Sequence, residues 1–353
     1  MSVSPFDNPI LSGLLGDAET AALFSLEAEL EEMVVFEATL AAAQAAEGLI
    51  PKAAGAAIPD ALKDFQPDIA GLRAGTARDG VIVPELVRQM RSAVGGAAAA
   101  HVHFGATSQD VIDTGLALRL RKAGEIFDQR LGRLLEEFDA LVSRDGAVET
   151  MGHTRMQAAI PVPASRKILS WRDPLIRHRA RLPAVMEDVA ILHLGGAAGT
   201  LDKFGGKGDA VAERLANALG LSAIAHPRHS ERDGIAAFAS WLSLVTGSLG
   251  KFGQDIALMA QTEMGEVKLA AGGGSSAMPH KVNPVDAEAL VTLARFNATL
   301  VSGMHQSLVH ENERSGAAWM LEWMLLPQMV VATAAGLRIA QALVANIRFA
   351  DRR

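Results

Sequence analysis

The sequence predicts an all-α protein built on long, bundled helices, and three observations carry that expectation. Apolar residues recur at spacings of three and four over extended stretches, most clearly in Phe238, Trp241, Leu242, Val245, Leu249, Phe252, Ile256 and Met259. The composition is 49% hydrophobic, dominated by alanine, leucine and valine and without any tyrosine, which favours helix over strand. Proline is missing from Arg228 to Met278, so a single helix of about forty residues is expected from near Asp233 to the loop at Gly272.

The elements follow in chain order. The first hundred residues are punctuated by Pro51, Pro59, Pro67 and Pro84 and by Gly48, Gly55, Gly71, Gly75 and Gly80, and read as a small helical domain spanning 1–110. Its boundary is placed near Gln109, where HVHFGATSQD gives way to a long helix starting about Val111; residues 111–353 are then the central bundle domain. Leu131, Leu134, Leu135, Phe138, Leu141 and Val142 continue that helix with one apolar face. GHTRMQAAIPVP, Gly152 to Pro163, follows a helix end. The glycine-rich segment from Leu194 to Gly208 resembles a phosphate cradle but holds neither GxxxxGK[ST] nor GxGxxG after a strand, so it reads as a connecting loop. Beyond the long apolar helix come a Gly/Pro-bounded loop, a helix carrying Leu290, Leu293, Leu300, Met304 and Leu308, and a last run from Trp319 to Ile347 expected to kink at Pro327.

Composition also excludes several classes of function. Thirty-three basic against forty acidic residues give a net charge of −7 with no long basic run, which argues against a nucleic-acid partner. With no cysteine there is no disulfide, thiolate ligand or thiol nucleophile. The N-terminus MSVSPFDNPILSGLLGD has no basic stretch before an apolar one and does not read as a secretory signal, so a cytoplasmic location is expected. Gly234 to Gly250 is uncharged but shorter than the ~20 residues of a membrane span and holds Ser240, Ser243 and Thr246; it reads as a buried bundle helix. Trp319 and Trp323 read as core or interface residues. His101 and His103 form an HxH without a third ligand in register, and neither metal nor cofactor is expected.

The most specific chemistry lies in Gly274 to Pro284, GSSAMPHKVNP. Lys281 supplies a cation, Asn283 an amide, and Ser275 and Ser276 hydroxyls, within a segment whose glycine and prolines allow a close turn around a small anion. HFGATSQD, His103 to Asp110, places Thr107 and Ser108 at the start of the next helix, where backbone amides attract carboxylates; capping of that helix by Thr107, Ser108 or Asp110 is the simpler explanation. Thr154, Arg155 and Gln157 in the GHTRMQ segment form a third polar group.

Together and in order, these three motifs resemble the signature of the fumarase/aspartase superfamily. DNPILSGLLGD, FEATLAAAQAAEGLIP and HFGATSQDVIDTGLALR make the chain most similar to bacterial 3-carboxy-cis,cis-muconate lactonizing enzymes, the cycloisomerases. The resemblance runs over essentially the whole chain. It implies a homotetramer whose sites are shared between subunits and a small-molecule tricarboxylate substrate, lactonised to 4-carboxymuconolactone through an aci-carboxylate intermediate in protocatechuate degradation. It also implies that the small domain usual after the bundle is absent. By the same resemblance Ser275 transfers the proton, with Lys281 activating it or relaying the proton itself. Thr107, Ser108, Thr154, Arg155, Gln157, Ser276, Asn283 and Arg314 bind substrate, and Glu288 orients, here against Arg155. Where amine-eliminating relatives such as adenylosuccinate lyase carry a histidine acid, this chain has Arg155, which cannot act as an acid near neutral pH; His153, one position earlier, is the candidate for a displaced acid. For Glu288 a solvated first-turn carboxylate, and for Arg314 a surface ion pair, are the simpler alternatives. A fumarate-releasing lyase and a non-catalytic oligomeric scaffold are the competing functions.

Overall fold

The computed structural model describes residues 4–274, 276–278 and 281–350. Six helices come first: α1 (Ser12–Leu15), α2 (Ala18–Ala22), α3 (Leu26–Ala46), α4 (Lys52–Leu62), α5 (Ile69–Asp79) and α6 (Val83–Val94). Except for α3, with 21 residues, they are short because the sequence stops them locally. Gly80 ends α5 in the left-handed conformation and Pro84 opens α6. The long elements α7 (Ser108–Asp145) and α8 (Ala164–Glu187) follow, then the short α9 (Gly208–Leu219), then the long α10 (Asp233–Met259), α11 (Val285–Gln306) and α12 (Ala317–Asn346).

Helix α10 alternates direction with α11 and packs closely on it. A Cβ on Gly253 would come within 2.5 Å of the Ala287 carbonyl oxygen, so a glycine is what lets these backbones approach. At the other end of the pair, Ser240 Oγ lies 3.1 Å from His305 Nε2, which sets the two helices antiparallel. Asn297 on α11 donates to Thr333 Oγ1 (2.9 Å) and the Met329 carbonyl (3.3 Å) on α12, fixing the third member. The apolar stripe read from the sequence is the inner face of α10: Phe238, Trp241, Leu242, Val245, Leu249, Phe252, Ile256 and Met259 are all buried. By length and composition α10 and α12 match a membrane span, yet 61% and 72% of their most apolar windows are buried within the protein, as core helices are.

Two apolar cores result. The larger joins α7, α8, α10, α11 and α12. The smaller joins α3 to α6 with the first turns of α7, with residues between Leu192 and Leu221 including α9, and with Trp319. Residues beyond the sequence boundary at 110 therefore return to pack on the first helices.

One expectation needs correction. The forty-residue helix ends at Met259 after 27 residues, although no proline stops it. The chain turns through Gln261–Gly265, with Gly265 at φ +53°, because the buried carboxylate of Glu266 is drawn to Lys167 (2.8 Å) and to the backbone N–H of Met151 (3.1 Å). Helix α12 runs through Pro327 as one 30-residue helix. The helical mass also carries two small antiparallel sheets: β1 (Glu149–Thr154) with β2 (Gln157–Pro163), and β3 (Val267–Leu269) with β4 (Ile347–Phe349).

Candidate active site

The sequence motifs fall at two opposite ends of the bundle. Thr107 is the N-cap of α7, and the hairpin β1–β2 follows the C-terminus of the same helix. Thirty-eight residues of α-helix span roughly 57 Å. Helix α10, of 27 residues, separates the same two regions by roughly 40 Å: Arg232 at its start binds Asp113 on the first turns of α7, whereas Met259 at its end leads to Glu266 and the hairpin.

At the first end Asp110 organises the backbone. Its carboxylate, fully buried, accepts from the N–H groups of Thr107 (2.9 Å), Gly195 (2.8 Å) and Gly196 (3.0 Å) and lies 2.8 Å from His229 Nε2. The capping explanation of HFGATSQD thus holds for Asp110, but one carboxylate serves two loops, and the glycine-rich segment is tied to the helix start. Beneath it lies a buried ionic group. Arg232 donates to Asp113 Oδ2 (2.7 Å) and, in a fork, to Glu322 Oε1 (2.9 Å) and Oε2 (2.5 Å). Trp319 Nε1 donates to the other oxygen of Asp113 at 2.9 Å. Burial raises the Asp113 carboxyl, but the Arg232 charge and these hydrogen bonds prevail and bring it down to about 2. Burial, opposed by Asp113, lowers His193 to about 4, so it is neutral beside Arg232 near pH 7.

Arg314 belongs to this end. Its Nε donates to Gln109 Oε1 (3.0 Å) and its Nη2 to the Gly196 carbonyl (3.3 Å). It forms no ion pair among the described residues, so the surface salt bridge considered for it is not present there. Thr107, Ser108 and Arg314 are thus gathered around one helix start, each half-buried.

The other end is more exposed. Arg155 (φ 49°) and Met156 (φ 68°) are the two central residues of the hairpin turn, both left-handed as the right-handed twist of the strands requires. Thr154, Arg155 and Gln157 stand exposed at the tip. His153 is exposed too, with its Nδ1 3.1 Å from the carbonyl of Met151 on its own strand. A cavity of ≈ 550 Å³ is lined by Gly152, His153, Met156, Lys167, Lys251 and Glu266 among others, but Thr154, Arg155 and Gln157 do not line it. The motif side chains therefore do not converge there.

The signature loop is pinned at its base. Gly273 and Asn283 exchange two backbone hydrogen bonds of 2.9 Å, and Asn283 Nδ2 donates to the Gly274 carbonyl (3.2 Å). A Cβ on Gly273 would lie 2.4 Å from the Val285 side chain, which explains a glycine at this crossing. Asn346 at the end of α12 donates to and accepts from the Ala271 backbone at 2.5 and 2.6 Å, tying the loop to the bundle. Ser276 and Lys281 are exposed, and Lys281 makes no ion pair with a described residue. Ser275, together with Pro279 and His280, lies outside the described residues. Glu288 is exposed in the first turn of α11 and has no ion pair among the described residues; the pairing with Arg155 is therefore not formed within the chain.

The chain thus brings Thr107, Ser108 and Arg314 together at one end, and places Thr154, Arg155, Gln157, Ser276, Lys281, Asn283 and Glu288 at the other. Sequence reasoning missed Asp110 as a hub and Gln109, Asp113, His229, Arg232 and Glu322 altogether. For Asp110, Asp113 and Glu322 the one local signal was an acid inside an apolar helix run, as in DVIDTGLAL and WMLEWML.

A family model described as lyase matches residues 18–298. The 3-carboxy-cis,cis-muconate cycloisomerase of Bradyrhizobium diazoefficiens is 40% identical over 336 residues, covering 94% of this chain and 74% of the relative. That of Pseudomonas putida is 40% identical over 331 residues, 92% of this chain and 78% of the relative. Among solved structures, the 3-carboxy-cis,cis-muconate lactonizing enzyme from Pseudomonas putida superposes with a TM-score of 0.92 at 36% identity, over 98% of this chain and 78% of that one.

Proposed function

This chain belongs to the lyase family whose model it matches, and we propose that it is the cycloisomerase that converts 3-carboxy-cis,cis-muconate to 4-carboxymuconolactone. The similarity to cycloisomerases over nearly the whole chain carries this reading. Arg155 supports it further, since a guanidinium cannot protonate a leaving amine, whereas lactonisation has no amine to protonate.

In the reaction the C6 carboxylate of the substrate adds to C3, the C2–C3 π bond breaks, and its electrons pass into the C1 carboxylate as an aci-carboxylate. A proton from the enzyme then arrives at C2, and solvent restores it. The substrate brings its own nucleophile, so what the protein must do is fold a trianion and stabilise the doubly negative C1 group. Thr107, Ser108 and Arg314 from one end, and Thr154, Arg155, Gln157, Ser276, Lys281 and Asn283 from the other, supply the donors. Ser275 transfers the proton, activated by Lys281 or with Lys281 as the relay, and Glu288 orients Arg155.

Donors roughly 40 to 57 Å apart in one chain cannot meet on one small molecule. The proposal therefore includes a homotetramer in which different subunits contribute opposite ends to each site, working in the cytoplasm. It divides each chain into 1–110 and 111–353, with the segment around α9 returning onto the first unit. Exposed apolar side chains that partner subunits would cover include Leu244 on α10 (55% exposed) and Met324 on α12 (67%).

The test is spectrophotometric. Incubation with 3-carboxy-cis,cis-muconate should remove the ultraviolet absorbance of the conjugated diene at an enzymatic rate. Release of fumarate from a succinyl-amine, with the muconate left intact, would replace this function by the eliminating one.

A further inference from the structure

We propose that Gln109 is a positioning residue for the reaction: it fixes the orientation in which the Arg314 guanidinium faces the substrate. The inference rests on the reading of a tricarboxylate substrate given above, and its geometry is independent of that reading.

Gln109 is fully buried directly after Thr107 and Ser108, so it does not reach the substrate itself. Both amide protons are committed: Nε2 donates to Asp113 Oδ2 (3.0 Å) and to the carbonyl of His229 (2.8 Å). A carbonyl can only accept, and Asp113 is held ionised by Arg232, so it too can only accept. The amide therefore has one allowed orientation. Its oxygen must face outward, where it accepts from Arg314 Nε at 3.0 Å. A flipped amide would set oxygen against two acceptors and nitrogen against a cation.

The second contact of Arg314 is also to a neutral acceptor, the carbonyl of Gly196, whose own N–H is held by Asp110. The guanidinium is thus oriented by two uncharged oxygens, while no described carboxylate neutralises it. An arginine held this way keeps its charge and its remaining N–H groups for an anion arriving from outside. The line of contacts Glu322, Arg232, Asp113, Gln109 and Arg314 turns a buried ionic group into a fixed direction for a half-buried cation.

The experiment is a double-mutant cycle on the full-length protein, using KM and kcat for 3-carboxymuconate and calorimetric affinity for the same compound. Gln109→Met keeps the volume and removes the directing amide. It should raise KM about ten-fold, more than it lowers kcat, as expected for loosening one charge-assisted contact. In an Arg314→Ala background the same substitution should no longer change KM, because the group it acts through is gone. Where Gln109→Met does not fold, Gln109→Asn, one methylene shorter and unable to span all three partners, is expected to show the same dependence on Arg314 at smaller size. An unchanged KM, or a rise of the same factor with Arg314 removed, would overturn the proposal. If wild-type protein binds the tricarboxylate without lactonising it, the reaction reading falls and the calorimetric cycle still decides the coupling. If it does not bind at all, both fall.

Discussion

At the Thr107 end of the bundle buried carboxylates are held by several donors each. Asp110 is contacted by four donors, and Arg232 bridges Asp113 and Glu322 out of contact with water. At the Lys281 end most of the proposed binding side chains stand in the open, above a two-residue turn under Arg155, a glycine crossing under the signature loop, and the Asn346 side chain holding Ala271. The first end is made rigid within the chain. In the proposed assembly the second presents groups whose partners come from other subunits. Such a division suits a site that closes only on assembly, with one wall prebuilt and the other delivered.

The sharpest challenge to this contrast is a matched pair of substitutions compared by thermal unfolding. Arg232→Met removes the cation shared by two buried carboxylates, and should destabilise the protein by about 3–5 kcal/mol because the two charges are left unpaired. Lys281→Ala, at an exposed position without an ion pair, should stay within about 0.5 kcal/mol of wild type. Equal losses would erase the distinction between the ends. Acid titration sharpens it. The folded-state value of Asp113, about 2, lies below its ordinary unfolded value of ~3.9, so its contribution is complete above pH ~4 and fades as the pH falls towards 2. Asp113→Asn should remove that part of the acid slope at the cost of a lower plateau.

Next in size is catalysis. Arg314→Ala and Lys281→Ala, one from each end, should each lower kcat/KM by at least about 10²-fold. Co-refolded, the two inactive chains should regain part of the activity, since some sites then receive an intact end from each variant. Absence of recovery in mixed oligomers would mean that the two ends of one chain do not serve sites shared in this way. The smallest effect concerns the hairpin tip. Met156→Gly relieves a left-handed side-chain residue and should stabilise the fold by about 1 kcal/mol. A loss of stability would show that the tip does not hold this turn in solution.

How much was legible in the sequence follows the same division. The far end declared itself, because its chemistry is local: Ser-Ser, Lys and Asn lie within one loop of GSSAMPHKVNP, and three such motifs in order were enough for the family and for the helical fold. What supports the near end was hidden, because it is non-local. Asp113 meets Arg232 across 119 residues and Trp319 across 206, and no spacing rule connects them. The early stop of α10 was hidden for the same reason. The pull on Glu266 comes from Lys167 and Met151, in other elements, and not from any breaker nearby. The hairpin went unread because its turn is Arg155–Met156 and not the Asn-Gly or Asp-Gly pair that announces a turn of this type.

Helix α12 carries one more consequence. Glu322 and Trp319, near its start, complete the group around Asp113, and Asn346 at its end secures the base of the signature loop. On the ribosome, at about 5–20 residues per second, Trp319 emerges roughly 10–40 s after Asp113. Throughout that interval the start of α7 carries an acid without its final partners, and the later loop has no anchor. Both ends of the proposed site are therefore finished by the same late segment, so a nascent chain interrupted before α12 lacks the partners that complete either one, and a protease meets it with both ends open.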